Sequence, residues 1–493
     1  MISIDELFQP ACKPSDLQEQ PLYFKDGAAP AGLLVFLSTI TNKAKIEELL
    51  LTPFQSLANG GNGAFGTPLP PAAFQYFSSI GEWVPGRQRQ LLLTKLYAGH
   101  CLFLLNGKPE ALVVDVSEWQ SRSISPPETE SSLVGPRDAF IENLETNIAL
   151  IRARIRHESL TAQSFVIGNL TGTNVTVMHL DGIANRQMVD QIVERIQTIR
   201  IDGVVDTTQV ANLILEKNKW WSPFPLSQST ERPDKAVSAL LEGRIIILMN
   251  SSPTAVILPV TLTSLYQTAD DYYFPFLSGS FLRFVRLVGL FLTVFLPAFY
   301  ISITTINQDV LRIQFMLAIA ASREGVPYPA YIEVCIMVFL LELINEASVR
   351  LPRVIGGTAT IVGGLIIGTA AAQAHLISNI MIVITAATAI GSFTTPNYMV
   401  GVALRMCSYI LIALAIPLGL YGMTLGTAFI FLYLCHLKSL GVPYLAPFDT
   451  FLYKDLFRDG LTRAPLLLSR FRPSTYRADS KSKMSRKEGE KLL

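Results

Sequence analysis

Hydrophobic spacing changes once, sharply, along this chain. Up to residue 282, short apolar runs alternate with amphipathic stretches, whereas 287–437 is almost continuously apolar. In the first part, CLFLL (101–105) and ALVVD (111–115) flank Asn106-Gly107, a pair that tolerates positive φ and marks a hairpin. IIILM (245–249) and AVILPV (255–260) flank Asn250-Ser251-Ser252-Pro253 in the same way. Each hairpin follows a helical stretch that ends in glycine, KLYAGH in one case and SALLEGR in the other. Further upstream, each has an apolar strand and an amphipathic helix. These are GLLVFLS (32–38) with KAKIEELLLTPF (43–54), and NVTVMHL (174–180) with RQMVDQIVERIQTIR (186–200). In the last helix Met188, Ile192 and Ile196 repeat every four residues and share a face. The pattern predicts two α/β subdomains of similar plan, 1–125 and 160–282. Duplication and chance likeness of two ordinary units both account for it.

Residues 126–159 join them through GPRDAFIENLETNIALIRARIRH (135–157). Pro136 suits a first helical turn, and Phe140, Leu144, Ile148, Ile151 and Ile155 form an apolar stripe. Arg152, Arg154 and Arg156 crowd the carboxyl end, where cations favour the helix dipole. They are read either as a solvated basic end or as a contact with lipid headgroups or another subunit.

Residues 283–440 read as an all-α polytopic membrane domain. A spanning helix needs about 20 mostly apolar residues. LVGLFLTVFLPAFYISITTI (287–306) and LGLYGMTLGTAFIFLYLCHL (418–437) qualify, and 329–345, 354–373, 376–393 and 398–416 bring the crossings to six. A re-entrant pair would leave four. The stretch 311–325 is too short to cross and fits a re-entrant or interfacial segment. Arg283 and Arg286 flank the first span, and the tail 441–493 is basic, so both ends are expected on the cytosolic side. Prolines within or beside the spans (Pro297, Pro327, Pro352, Pro396) favour kinks.

Composition sharpens this picture. The chain is 50% hydrophobic and 16% charged, against about a quarter charged in soluble domains. A formal net charge of +1 supplies no basic field for nucleic acid. The five cysteines are scattered without a CxxC pair, and the amino terminus lacks a signal-peptide pattern. The histidines show no metal spacing, and no GxSxG, P-loop or dinucleotide fingerprint occurs. The expectation is no enzyme, no catalytic residues, no metal and no cofactor. Asp270-Asp271 stand beside Tyr272-Tyr273 ahead of Arg283 and Arg286, which fits a salt-bridged membrane boundary better than a catalytic carboxylate pair.

Two features of the apolar half could carry function. Glu333 precedes Glu342, Glu346 and Arg350, the last three spaced i, i+4, i+8 on one helix face. Ionisable groups at membrane depth are costly and mark functional or partner-facing sites, although the cluster would serve equally as an interfacial anchor. IGGTATIVGGLIIGTAAAQA (355–374) carries Thr360, Gly364, Gly368 and Ala372 on one face. Such a face permits close helix packing. It could instead line a pore in which Val362, Leu365 or Ile366 gates by dewetting.

Five stretches in order resemble the A subunits of GerA-type spore-germination receptors. They are GPRDAFIENLETNIALIRARIR, FPLSQSTERPD with LLEGRIIILMN, ADDYYFPFLSGSFLRFVR, SREGVPYP through EASVRLPRVIGGTATIVGGLIIGTAAAQAHLIS, and LGVPYLAPF. Together they cover roughly residues 100–450. The signature positions are Gly135, Pro136, Phe140, Glu142, Asn147, Arg152, Arg154, Glu231, Arg232, Pro233, Asp234, Asp271, Arg283 and Arg286, read as structural or interface residues. The chain departs from the pattern at Met337-Val338, where relatives commonly have Met-Glu, and at Ile344-Asn345, where they have Leu-Arg. One acid and one base are thus lost together. Ser378-Asn379 stands where Ser-Pro is common.

The resemblance implies a multi-pass protein of the spore inner membrane. Its partners would be a transporter-like B subunit, which holds most of the nutrient pocket, and a lipoprotein C subunit. It also implies self-association into a nutrient-gated cation channel. A non-conducting scaffold or signalling subunit of the same receptor, or a transporter component, would share these sequence features.

Overall fold

The computed structural model describes residues 14–23, 30–59, 71–106, 108–117, 127, 130, 134–215, 222–350, 369, 371–448, 456–460, 462–465 and 471–482. The chain divides into two compact units. One comprises Met1–Lys219, Ser227–Pro259 and Leu466–Leu493, the other Trp220–Leu226 and Val260–Pro465.

The first unit is built twice to one plan. Its first sheet contains β1 (Leu17–Tyr23), β2 (Pro30–Leu37), β3 (Gly81–Pro85), β4 (His100–Leu105) and β5 (Glu110–Asp115), in the order β1-β2-β4-β5-β3. The second contains β6 (Leu160–Ile167), β7 (Thr173–Leu180), β8 (Gln228–Thr230), β9 (Ile245–Met249) and β10 (Ala255–Leu258), in the order β6-β7-β9-β10-β8. Numbered within each sheet, both run 1-2-4-5-3, and every neighbouring pair is antiparallel. The two hairpins expected from the sequence are β4–β5 and β9–β10. The glycines that close the preceding helices, Gly99 and Gly243, have φ of 91° and 88°, a region that strains any side chain.

The central strands of each sheet are apolar on both faces because helices cover both. On the first sheet, α1 (Lys43–Ile46), α2 (Thr52–Asn59) and α3 (Pro71–Ile80) lie on one side, with Ile46, Phe54 and Phe77 packed on Phe103. On the other side, α4 (Arg89–Tyr97) buries Leu92, Leu93 and Leu96. The second sheet carries α5 (Leu144–Arg154) and α8 (Pro233–Leu241) on one face. Its other face contacts α6 (Arg186–Thr198) and α7 (Thr207–Leu215). Met188, Ile192 and Ile196 of α6 are all buried.

The joining helix differs from the sequence expectation. It starts at Leu144 with Asn143 as its cap, not at Pro136. Gly135 has a φ of 105°, and Phe140 N donates to Glu231 O (2.8 Å), so 136–143 lies outside the helix. The apolar stripe is nevertheless buried as one surface, with Phe140 joining it from outside the helix. On the opposite flank, Ala149 packs into the core of the first sheet, so α5 is shared by both halves.

The second unit is helical. α9 (Leu262–Tyr266) and α10 (Asp270–Tyr273) lead into α11 (Phe276–Thr305), followed by α12 (Ile313–Ser322), α13 (Ala330–Arg350), α14 (Asn379–Phe393) and α15 (Tyr398–His436). α11 and α15 are each long and apolar enough to cross a membrane, while α12 and α14 are shorter apolar helices. Hydroxyls here bond back along their own helices: Thr293 to Gly289 O, Ser302 to Ala298 O, Thr385 to Met381 O. Where no water is at hand, this satisfies a polar side chain locally. α11 and α14 meet closely at Gly289 and Gly391, where a Cβ on Gly391 would lie 2.7 Å from Gly289 O. α15 is broken at Gly419 (φ 60°, ψ −138°). Beyond the break Gly422 and Gly426 lie against Leu414 and Leu411, so the helix folds back on itself. Asn307 Oδ1 accepts from Leu420 N (2.9 Å) and caps the returning half. The break falls at the second residue of the expected span 418–437, just past the end of 398–416.

Candidate functional site

Among the described residues, a cluster of buried charge lies at the start of α11. Gly279 lets α11 approach α10, since a Cβ there would stand 2.8 Å from Asp271 O. Arg283 and Arg286, three residues apart on α11, face the same way, toward Asp271, which has no exposed surface. Arg283 Nε donates to Asp271 Oδ2 (3.2 Å) and Arg286 Nη1 to the same oxygen (2.8 Å), while Arg286 Nη2 donates to Oδ1. Thr268 adds its backbone N–H (3.3 Å) and hydroxyl (3.0 Å). Burial alone would raise the Asp271 carboxyl. The hydrogen bond and charge of Arg286, with the charge of Arg283, outweigh it and hold the group below the usual carboxylate range.

A segment far away in sequence completes the cluster. Asp459 Oδ1 accepts from both terminal nitrogens of Arg283 (3.2 Å each), and its Oδ2 from the Tyr272 hydroxyl (2.9 Å). Arg463 donates to the carbonyls of Asp271 (2.8 Å) and Phe274, and its own N–H meets Ser280 Oγ (3.0 Å). The Arg283 and Arg463 guanidinium groups lie 5.5 and 5.7 Å from the Tyr272 ring centre. The sequence places Asp271, Arg283 and Arg286 near one another. Asp459 and Arg463 carry no local signal, being some 180 residues distant.

The acidic cluster of the apolar half is divided between two sets of partners. Glu333, fully buried, accepts from the N–H and hydroxyl of Ser378, the cap of α14, and lies 3.6 Å from Arg323 Nε. Glu342 accepts from Arg405 Nε (3.0 Å) and the Tyr409 hydroxyl (2.7 Å) on α15, and Arg405 also donates to Ser392 (3.2 Å). Glu346 is exposed, and the side chain of Arg350 lies outside the described residues. Arg405 could have been found as a lone cation in an apolar run, which demands an anionic partner. Thr360, Val362, Gly364, Leu365, Ile366 and Gly368 all lie outside the described residues.

In the α/β unit, two of the signature stretches interlock. Arg232 holds Asp234 through two bonds (3.0 and 2.6 Å) and reaches Pro136 O (3.3 Å), while Pro233 opens α8. Asn147, buried on α5, accepts from Ile141 N (2.9 Å) and donates to Ile141 O, pinning the segment that leads into the helix. Ser251 N donates to Glu142 O (2.7 Å). Arg154 pairs with Asp138 (2.5 Å). Arg152 is not part of a solvated end. It is fully buried, bonded to Asp16 Oδ1 (2.6 Å), and lies 5.5 Å from the Tyr97 ring centre. Its partner, 136 residues upstream, is invisible to helix periodicity. Among the described residues, no three His, Cys, Asp or Glu side chains gather as a metal site would require.

The family model described as Bacillus/Clostridium GerA spore germination protein matches residues 4–475. The chain belongs to the GerA spore germination protein family. Spore germination protein A1 of Bacillus subtilis is 37% identical over 368 residues, 75% of this chain and 76% of the relative. The uncharacterized membrane protein YfkQ of the same species is 34% identical over 468 residues, 95% of this chain and 90% of the relative. Among solved structures, the N-terminal domain of the A subunit of the Bacillus megaterium spore germinant receptor GerK3 is 26% identical. The match covers 50% of this chain and 88% of that one, with a TM-score of 0.35.

Proposed function

We propose that this GerA-family chain is the A subunit of a nutrient receptor in the spore inner membrane. Its helical unit crosses the bilayer and its α/β unit stays on the cytosolic side. The observation that carries this reading is family membership over residues 4–475, together with helices long and apolar enough to span. Buried charges support it. Arg283, Arg286, Glu333 and Arg405 turn inward to partners while the outer surface of α11 is apolar, as lipid requires.

In this reading B and C subunits complete the receptor, and the nutrient binds mainly to B. Copies of this chain assemble around a cation path, with the small-residue stretch 355–374 as its lining. Glu342 and Arg405 lock α13 to α15. The test is to delete the gene, make spores, and follow potassium release against amino acids, sugars and nucleosides. Loss of the response to one nutrient supports the reading and names the ligand class; release unchanged with every nutrient counts against it. Cation flux from liposomes containing this chain alone separates a channel from a non-conducting scaffold.

A further inference from the structure

The two sheets of the α/β unit lead into their next helix through the same corner. β2 ends at Leu37 and β7 at Leu180. Asn42 and Asn185, at equal distance beyond those ends, cap α1 and α6. Inside each corner an isoleucine amide donates back to the leucine carbonyl, Ile40 N to Leu37 O (3.2 Å) and Ile183 N to Leu180 O (3.1 Å). Gly99 and Gly243 stand against these corners. A Cβ on Gly99 would lie 3.0 Å from Ile40 O, and one on Gly243 would lie 3.2 Å from Ile183 O.

In the first module the chain closes the corner directly after its own hairpin. Beyond β5, Val116 O accepts from Asn42 N (2.9 Å), and Ser117 bridges to Thr41. The Ser117 Cβ lies 2.7 Å from the Cβ position on Gly99. In the second module the chain leaves after β10. Past Pro259 it belongs to the helical unit, where Val260 N donates to Ser439 Oγ (3.2 Å).

Tail residues of the same compact unit occupy the corresponding place. Arg477 O accepts from the Asn185 side chain (3.2 Å), as Val116 O accepts from Asn42 N. The Ala478 Cβ lies 2.8 Å from the Cβ position on Gly243, as that of Ser117 lies against Gly99. Asp479 N donates to Ile183 O (3.0 Å). Flanking groups add to the hold. Arg472 Nε donates to Leu241 O (2.8 Å), and the ring of the buried Tyr476 lies 5.0 Å from the Arg244 guanidinium. Arg472 N to Lys481 O (2.9 Å) closes the segment into a loop.

We propose that residues 471–482 are the closing segment of the second α/β module, supplied from the far end of the chain. The corner formed by Ile183–Asn185, Gly243 and Arg244 is therefore a binding site for a peptide of this sequence. Backbone bonds give it register. A small residue must stand over Gly243, and an aromatic ring must cover the Arg244 guanidinium.

Two measurements on the chain purified in detergent test this. A chain ending at Pro465 should bind a fluorescein-labelled peptide of residues 471–482 saturably, read by fluorescence anisotropy. The intact chain, whose corner holds its own tail, should not bind it. The same peptide carrying Ala478→Phe should bind about tenfold more weakly or worse, the scale of one lost hydrogen bond. Hydrogen exchange at 38–45 checks that the shortened chain is folded. No binding to the folded shortened chain, equal binding to the intact chain, or equal binding of both peptides overturns the proposal. If the shortened chain does not fold, Ala478→Phe in the full chain decides. Exchange at 183–188 and 472–482 should then quicken about tenfold or more, with 38–45 in the first module at its natural rate. Natural rates at 472–482, or an equal acceleration at 38–45, overturn it.

Discussion

Asp271→Asn is the sharpest probe of the cluster at the base of α11. The substitution keeps shape and removes one negative charge from a group with no exposed surface that serves two arginines. Asn offers one carbonyl oxygen and an NH2, and the NH2 would face the donors of Arg283 or Arg286. Arginine cannot shed its proton, so the two guanidinium groups would share Asp459, whose side chain is 29% exposed. Breaking a buried pair by removing one partner costs about 3–5 kcal/mol. At 1.36 kcal/mol per decade this lowers local protection roughly a hundred- to several-thousand-fold. Asp459→Asn, at a partly solvated position, should cost only about 1 kcal/mol or less.

The assay is hydrogen exchange on the full chain in lipid nanodiscs, reading peptides that cover 268–282 and 456–465. pH gives an independent check. The folded carboxyl titrates below its unfolded value, about 3.9 for Asp. Its contribution is thus complete above that value and is lost as pH falls through the folded one. The natural chain should lose protection below about pH 4, and Asp271→Asn should show no such step. Equal protection in both chains at pH 7 would refute the claim that this charge organises the cluster.

Three further outcomes are expected. Arg152→Met leaves the Asp16 carboxylate buried without its cation and should lower the urea stability of the α/β unit by about 3–5 kcal/mol; adding Asp16→Asn should recover part of that loss. Gly419→Ala forces a side chain into a glycine-only conformation, at about 1–3 kcal/mol, and puts its Cβ 2.2 Å from Asn307 Oδ1; the midpoint of thermal inactivation of the solubilised chain should fall, and an unchanged midpoint removes the folded-back hairpin. Burial pushes the His179 imidazole down, against the raising charges of Asp181 and Asp190, so its neutral form supports stability that is lost as pH falls below about 6.5. His179→Leu should flatten this part of the stability–pH curve measured by urea unfolding.

The elements legible in the sequence were those with a local signal. Asn106-Gly107 and Asn250-Ser251 marked both central hairpins, and the four-residue spacing of Met188, Ile192 and Ile196 marked α6. Edge strands were not legible. β1, LQEQPLY, lies at the sheet edge with Gln18 through Pro21 all exposed, so it lacks the alternation of a covered strand, and β8 has only three residues. Charge pairing was legible only at short range. Arg283 and Arg286 pointed to Asp271, but Asp16 for Arg152, Asp459 for Arg283 and Arg405 for Glu342 are brought together by the fold alone.

The folded-back α15 has a consequence for how the molecule can be handled. It returns the chain so that Ser439 meets Val260 N (3.2 Å) and Tyr444 meets Leu262 N (2.8 Å), while Arg463 closes on α10 and α11. The main segment of the helical unit therefore begins and ends at one pole, inserted as a cassette into the chain of the α/β unit. Its boundaries at 259/260 and 465/466, with the short Trp220–Leu226 segment that belongs to the same unit, are natural splice points for chimaeras with a relative's helical cassette. Such grafts need Asp271, Arg283, Asp459 and Arg463 to travel together, since a splice inside that set would strand a buried charge.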